Sequence, residues 1–295
     1  MTTPILSGIA SVADRYDGFI LDLWGVLYDG EQPYPGAIDC LDRLRAAGKT
    51  LCLLSNAPRR NPSVERRLSG VGVTPDHYDH LLTSGEATHW ALLSPPDAWH
   101  AKLGRRCLHI GPPRDKDIFP GLGLEMVATP EAADFVVNTG IDTFDETLDD
   151  YEAVLQRCIA ANLPMVCANP DLVVMVGDKM AICAGMLAKR YKELGGAVAY
   201  HGKPYAPVYR RCFELLGISD KSRILAVGDS LRTDVAGANA AGIDVALVTG
   251  GIHLTEVGRD ELGAAWGDHP DPDKLDAVIQ ASGHTPTYAV PHFAW

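Results

Sequence analysis

The sequence predicts an α/β protein with a doubly wound, mainly parallel sheet, and three features predict it. Short apolar runs at 18–22, 50–55, 135–138, 165–168, 224–228 and 245–249 end in small or polar residues. Helically spaced stretches separate them, the alternation that parallel strands need for their crossovers. The first and last parts of the chain also read as one interrupted sheet, while the middle carries strand and helix signals of its own. A discontinuous core of residues 1–82 and 197–295, with an inserted α/β domain at 83–196, is therefore expected.

The elements justify this in order. Gly18-Phe19-Ile20-Leu21 carries Asp22 to a strand end, and Gly25 follows where the chain must turn. In residues 36–47, Ile38, Leu41 and Leu44 stand at helical spacing, with Pro35 suited to the entrance and Gly48 to the stop. Within the insertion, strands are expected at 107–110 and 135–138 and helices at 150–161 and 180–194. Residues 233–241 form a further helix before Gly242, and 272–281 another. The tail, 285–295, reads as a segment docked on the surface or on a partner subunit.

With 295 residues and 46% hydrophobic content, the chain can bury a core large enough for two domains. Its net charge of -12, from 38 acidic and 26 basic residues, argues against nucleic acid or an anionic membrane as partner and favours a small molecule. Seven cysteines, at 40, 52, 107, 158, 167, 183 and 212, form no Cys-x-x-Cys pair and read as reduced core thiols. Asp14, Arg15 and Asp17 break the apolar character of the first twenty residues. No apolar run approaches the roughly 18 residues of a spanning helix, so a cytoplasmic location is expected.

Four polar clusters follow or flank expected core strands: Asp22; Ser55-Asn56; Gly202-Lys203-Pro204; and Gly228-Asp229-Ser230 with Asp234. Ligands of open α/β sheets sit outside the carboxyl ends of the strands, so these clusters can converge. Asp22 and Asp229 suit Mg²⁺, a hard cation that takes one or two protein carboxylates together with substrate phosphate. Lys203 would offset further phosphate charge, and Ser55 and Asn56 would donate hydrogen bonds to phosphate oxygens. Attack by Asp22 would then give an aspartyl-phosphate for water to hydrolyse.

The order and spacing of these clusters resemble the haloacid dehalogenase (HAD) superfamily, and specifically its class IIA, with a large α/β cap between the second and third motifs. This is the class of nucleotide, pyridoxal phosphate and nitrophenyl phosphatases. Tyr34-Pro35-Gly36-Ala37, Thr83-Ser84-Gly85-Glu86-Ala87-Thr88 and Ala168-Asn169-Pro170-Asp171 add to the likeness, which covers roughly residues 16–251. The resemblance implies a HAD-like Rossmannoid core, Asp22 as nucleophile, Ser55 as the second-motif hydroxyl and Lys203 as the third-motif lysine. It further implies Asp229 as a Mg²⁺ ligand, with Asp234 orienting it or Lys203 from behind. A small phosphate ester as substrate, a specificity segment at 169–176 and a homodimer through the cap are likewise implied.

Trp24 departs from that pattern. Phosphatases of the family carry a second Asp there, which protonates the leaving alcohol and then activates water; an indole does neither. The position also lends its backbone carbonyl to Mg²⁺, which Trp24 retains. Three explanations stand: a substrate with a good leaving group, an acid supplied elsewhere (Asp171, His109 or His201), or a weak or inactive protein that only binds ligand. A metal-independent carbon–halogen hydrolase is the remaining alternative, since dehalogenases carry an aromatic residue at this position. Among other features, His77-x-x-His80 reads as a polar loop, Arg59 and Arg60 as solvated charges at a helix entrance, and Gly250-Gly251 as a turn.

Overall fold

The structure, a computed structural model, describes residues 3–176, 179–259 and 269–295. Among these the strands run, in chain order, β1 Gly18–Leu21, β2 Thr50–Ser55, β3 His80–Thr83, β4 Arg106–Ile110, β5 Glu125–Val127, β6 Phe135–Asn138, β7 Met165–Cys167, β8 Val173–Val176, β9 Lys179–Ile182, β10 Val198–Tyr200, β11 Ile224–Gly228, β12 Asp244–Val248 and β13 Tyr288–Val290. The chain divides into two compact units: Met1–Ser55, Glu65–Leu82 and Lys203–Trp295 form the first, and Asn56–Val64 with Thr83–Gly202 form the second.

The first unit holds a six-stranded sheet in the order β13-β12-β11-β1-β2-β3. β1 lies in parallel between β11 and β2, with Leu21 level with Val227 and Leu53. From β1 the chain order runs outward through β2 and β3 on one side, and from β11 through β12 and β13 on the other. The switch point of the sheet therefore falls between β1 and β11, where such sheets open a crevice at their carboxyl ends. All four residues of β1 and all five of β11 are buried, so their apolar runs reflect cover on both faces. The helix Ala37–Ala46 buries Ala37, Cys40, Leu41 and Leu44, a single stripe at three- and four-residue spacing. It ends just before Gly48, whose φ of +71° favours glycine.

The tail is part of this unit. β13 pairs with β12 at the sheet edge, Phe293 is buried, and Ala294 accepts a hydrogen bond from Ile9 N at 2.8 Å.

The second unit holds a five-stranded sheet, β10-β7-β6-β4-β5, with parallel pairs throughout, and an antiparallel hairpin of β8 and β9. Successive residues alternate between two cores, as the two-residue period of a strand dictates. Leu108, Val136 and Met165 face one, with Leu155, Leu187 and Tyr191 from its helices; Cys107, Phe135, Val137 and Val166 face the other. Two expectations change here. Residues 180–182, read as the start of a helix, are strand β9, because they pair with β8; the helix is Ala184–Glu193. The unit also continues past 196 to Gly202 because Val198–Tyr200 pairs with Met165–Cys167, and it takes in residues 56–64. All seven cysteines are buried thiols outside any disulfide. No helix among the described residues is long and apolar enough to cross a membrane.

Candidate active site

Asp22 leaves β1 at the switch point, its N–H still bonded to Val227 O at 2.9 Å. That extra rung fixes the backbone from which the carboxylate projects. Oδ1 accepts from Leu23 N at 2.7 Å and pairs with Lys203 Nζ at 2.6 Å. Lys203, 3% exposed at its side chain, also meets Asp234 Oδ1 at 2.8 Å. Asp234 stands on a wide π-helical turn, Leu231–Val235, that follows β11 and is capped by Ser230; its Oδ2 accepts from Ser230 N at 3.2 Å.

Asp229 is placed by glycines. A Cβ on Gly25, whose φ is +78°, would come within 2.0 Å of Asp229 Oδ2, and one on Gly251 within 2.2 Å. Ile252 N donates to the same oxygen at 2.8 Å. A Cβ on Gly228 would meet Asp234 Cγ at 2.0 Å. Gly25, Gly228 and Gly251 thus set how closely backbone and carboxylates approach, a role the sequence reading missed. Their signal is in the chain: Gly25 closely follows Asp22 and Gly228 directly precedes Asp229, whereas Gly251 reads as a turn alone.

One oxygen from each of Asp22, Asp229 and Asp234 lies within 4.8 Å of the others. Among the described residues, three carboxylates gather around one ammonium, an excess of acidic groups in a poorly solvated place. Burial, with Asp234 and Asp229 adding to it, pushes the Asp22 carboxyl well above the usual range, and Lys203 opposes that rise. Burial alone would lower the Lys203 ammonium, but Asp22 and Asp234 raise it instead, so Lys203 stays charged. An oxygen-lined pocket with surplus negative charge fits a small divalent cation.

The other expected residues sort differently. Ser55 is buried at the end of β2, beside β1 in the same sheet. Asn56 belongs to the second unit: its Nδ2 donates to Asp171 at 2.9 Å, and its Oδ1 accepts from Ser84 Oγ at 3.3 Å. Its amide serves as a tie within that unit. Arg59 and Arg60 are not merely solvated. Arg59 Nε pairs with the buried Asp115 at 3.0 Å, and Arg60 grips Glu86 through two bonds of 2.6 and 2.9 Å. His77 closes a capping box with Thr74.

Trp24 lies on a tight turn in which Gly25 N donates to Tyr28 O at 3.1 Å. Its ring tilts against Tyr28, with centroids 5.6 Å apart, and covers Gly30. The three alternative acids are engaged inside the second unit. Asp171 holds Asn56; His109 Nε2 meets Thr139 Oγ1 at 2.8 Å; and His201 Nε2 meets His100 Nε2 at 3.1 Å, with His100 Nδ1 on Asp97 at 2.8 Å. Burial, with Lys116 adding, pushes His109 down to about 4. Burial, then His100, does the same to His201, at about 4, so both rings are neutral near pH 7.

Comparison with known proteins identifies the family. Models of the haloacid dehalogenase-like hydrolases match residues 19–125 and 121–242, and a HAD-hydrolase-like model matches 200–292. The D-glycerol 3-phosphate phosphatase of Mycobacterium tuberculosis is 30% identical over 279 residues, 94% of this chain and 70% of that protein. Human chronophin is 27% identical over 277 residues, 89% of this chain and 90% of its own. The crystal structure of a haloacid dehalogenase-like hydrolase from Brucella suis superposes with a TM-score of 0.80 over 97% of this chain and 99% of that one, at 37% identity. The chain accordingly belongs to the haloacid dehalogenase-like hydrolases, in the class IIA branch that contains phosphatases.

Proposed function

We propose that the chain hydrolyses a small phosphate monoester through an aspartyl-phosphate on Asp22, with Mg²⁺ bound. The observation that carries this reading is the asymmetry of the Asp22 carboxylate. Lys203 and Leu23 N hold Oδ1, which orients Oδ2 for attack on phosphorus. Asp22, Asp229 and the Trp24 carbonyl would hold the cation, and Asp234 positions Lys203. When bound, the ion neutralises phosphate charge that would repel the nucleophile. Lys203 contributes a fixed ammonium to the same end, and Ser55 a hydroxyl donor. The phosphatase relatives support the reaction class.

The test is phosphate release from a panel of small monoesters, with and without Mg²⁺, alongside a haloacid. Asp22→Asn is expected to lower Mg²⁺-dependent release more than about 10³-fold, the scale of losing a nucleophile. Metal-independent halide release, or phosphate release indifferent to Asp22→Asn, would sink the reading. The three-carboxylate cluster favours the phosphatase over the carbon–halogen alternative, which has no use for a cation site.

A further inference from the structure

We infer that Trp24 restricts this site to phosphoryl donors with a weakly basic leaving group, such as aryl, enol or acyl phosphates, and leaves the phosphorylated Asp22 slow to hydrolyse. This deepens the proposed function and rests on it.

The groups around Asp22 are already committed. Lys203 is bound between Asp22 and Asp234, at 2.6 and 2.8 Å. Asp234 divides its oxygens between Lys203 and Ser230 N, and Asp229 accepts from Ile252 N between two glycines. Two residues beyond the nucleophile comes an indole, which neither gives nor takes a proton in the ordinary pH range. The turn holds that indole in place. Gly30 has φ of +103°, and a Cβ there would lie 2.3 Å from Trp24 Cη2, so the ring sits directly on backbone. Tyr28 supports the ring from the side, and the Arg67 guanidinium bonds the Gly30 carbonyl. Asp171, His109 and His201 are each bonded to a partner within their own unit.

The chemistry follows. Asp22 Oδ2 forms a bond to phosphorus, the bond from phosphorus to the leaving oxygen breaks, and the electron pair departs on that oxygen without a proton. Aryloxides, enolates and carboxylates tolerate this; an alkoxide does not. Water then attacks phosphorus, the Asp22–phosphorus bond breaks, the carboxylate is restored, and the water proton passes to the released phosphate. Among the described residues the carboxylates around Asp22 already hold partners of their own, so that proton has no ready acceptor and the second step lags behind the first.

The experiment is a leaving-group series: substituted phenyl phosphates, acetyl phosphate and glycerol phosphate, each with Mg²⁺ and followed from the first turnover. Wild-type kcat/KM is expected to fall steeply as leaving-group basicity rises, with glycerol phosphate at least about 10²-fold below nitrophenyl phosphate, the lower end of what general acid catalysis supplies. A burst near one equivalent per protein should precede the steady state, with phosphate found on the Asp22 peptide by mass spectrometry after acid quench. Trp24→Asp should flatten the series and shrink the burst. Trp24→Phe, which keeps a ring over Gly30, should retain the steep slope, so a poorly folded Asp variant does not decide the matter. A flat wild-type series or equal turnover of glycerol phosphate overturns the inference while Asp22-dependent release upholds the phosphatase reading; no Asp22-dependent release from any donor removes both.

Discussion

Both units are built on a parallel sheet, yet their strand ends are furnished differently. In the first, β1 and β11 deliver Asp22 and Asp229, and the turn after β11 adds Asp234, all around one lysine. In the second, β6 ends in Asn138 and continues to Thr139, both neutral. Asn138 donates to Ala184 O at 2.9 Å and accepts from Gly140 N at 3.1 Å, while Thr139 engages His109. Polar groups at a strand end are therefore not a site in themselves. The second unit's are used up by its own backbone and neighbours; the first unit's, among the described residues, set three carboxylates around one lysine.

The sharpest way to break that contrast is to remove the lysine. Lys203→Met strands three carboxylates in a buried place and should destabilise the protein by about 3–5 kcal/mol near neutral pH, as losing one partner of a buried pair does. Chemical denaturation measures it. The deficit should shrink on acidification, because protonation removes the stranded charges; a deficit that grows instead would show that Lys203 matters for packing rather than charge.

Gly25→Ala tests the cradle. Its Cβ would meet Asp229 at 2.0 Å in a left-handed conformation, so a loss of roughly 1–3 kcal/mol and weaker Mg²⁺ binding by calorimetry are expected. Asn138→Ala, at the corresponding place in the second sheet, should cost about 1–2 kcal/mol for its lost bonds while leaving phosphate release intact. If it abolished release, the contrast between the two sheets would fail.

The smallest effect is a slope with pH. His109 lies at about 4 in the fold and near its ordinary value when unfolded, so the unfolded chain binds more protons between the two. Stability should be full above the unfolded value and fall as pH drops toward 4, by about 0.7 kcal/mol between pH 7 and pH 6. His109→Gln, which can still bond Thr139, should flatten the slope by that share.

The parts of the fold legible in the sequence were those with strong local signals. Four apolar residues before Asp22 and the run ending at Gly228-Asp229 mark buried central strands, and the order of motifs along the chain was enough to join them around Lys203. What escaped depends on distant partners. Residues 179–182 carry a pattern that runs into the following helix, and only pairing with Val173–Val176 makes them a strand. Val198–Tyr200 is a strand of only three half-buried residues, too short to mark itself, and its place in the second sheet comes from pairing with Met165–Cys167. Asn56 adjoins Ser55 in sequence, yet its amide answers to Asp171 and Ser84. Arg59 and Arg60 look like solvent-facing charges until Asp115 and Glu86 come into place beside them.

The wide turn at Leu231–Val235 has a consequence for how the site tolerates change. Each helical residue advances the side-chain direction by about 100°, so the additional residue in a π turn sets the angular phase at which Asp234 emerges. Deleting one residue there would regularise the helix and swing the carboxylate off Lys203, although every named side chain would still be present. At this corner of the molecule, the length of the chain constrains the chemistry as tightly as its composition does.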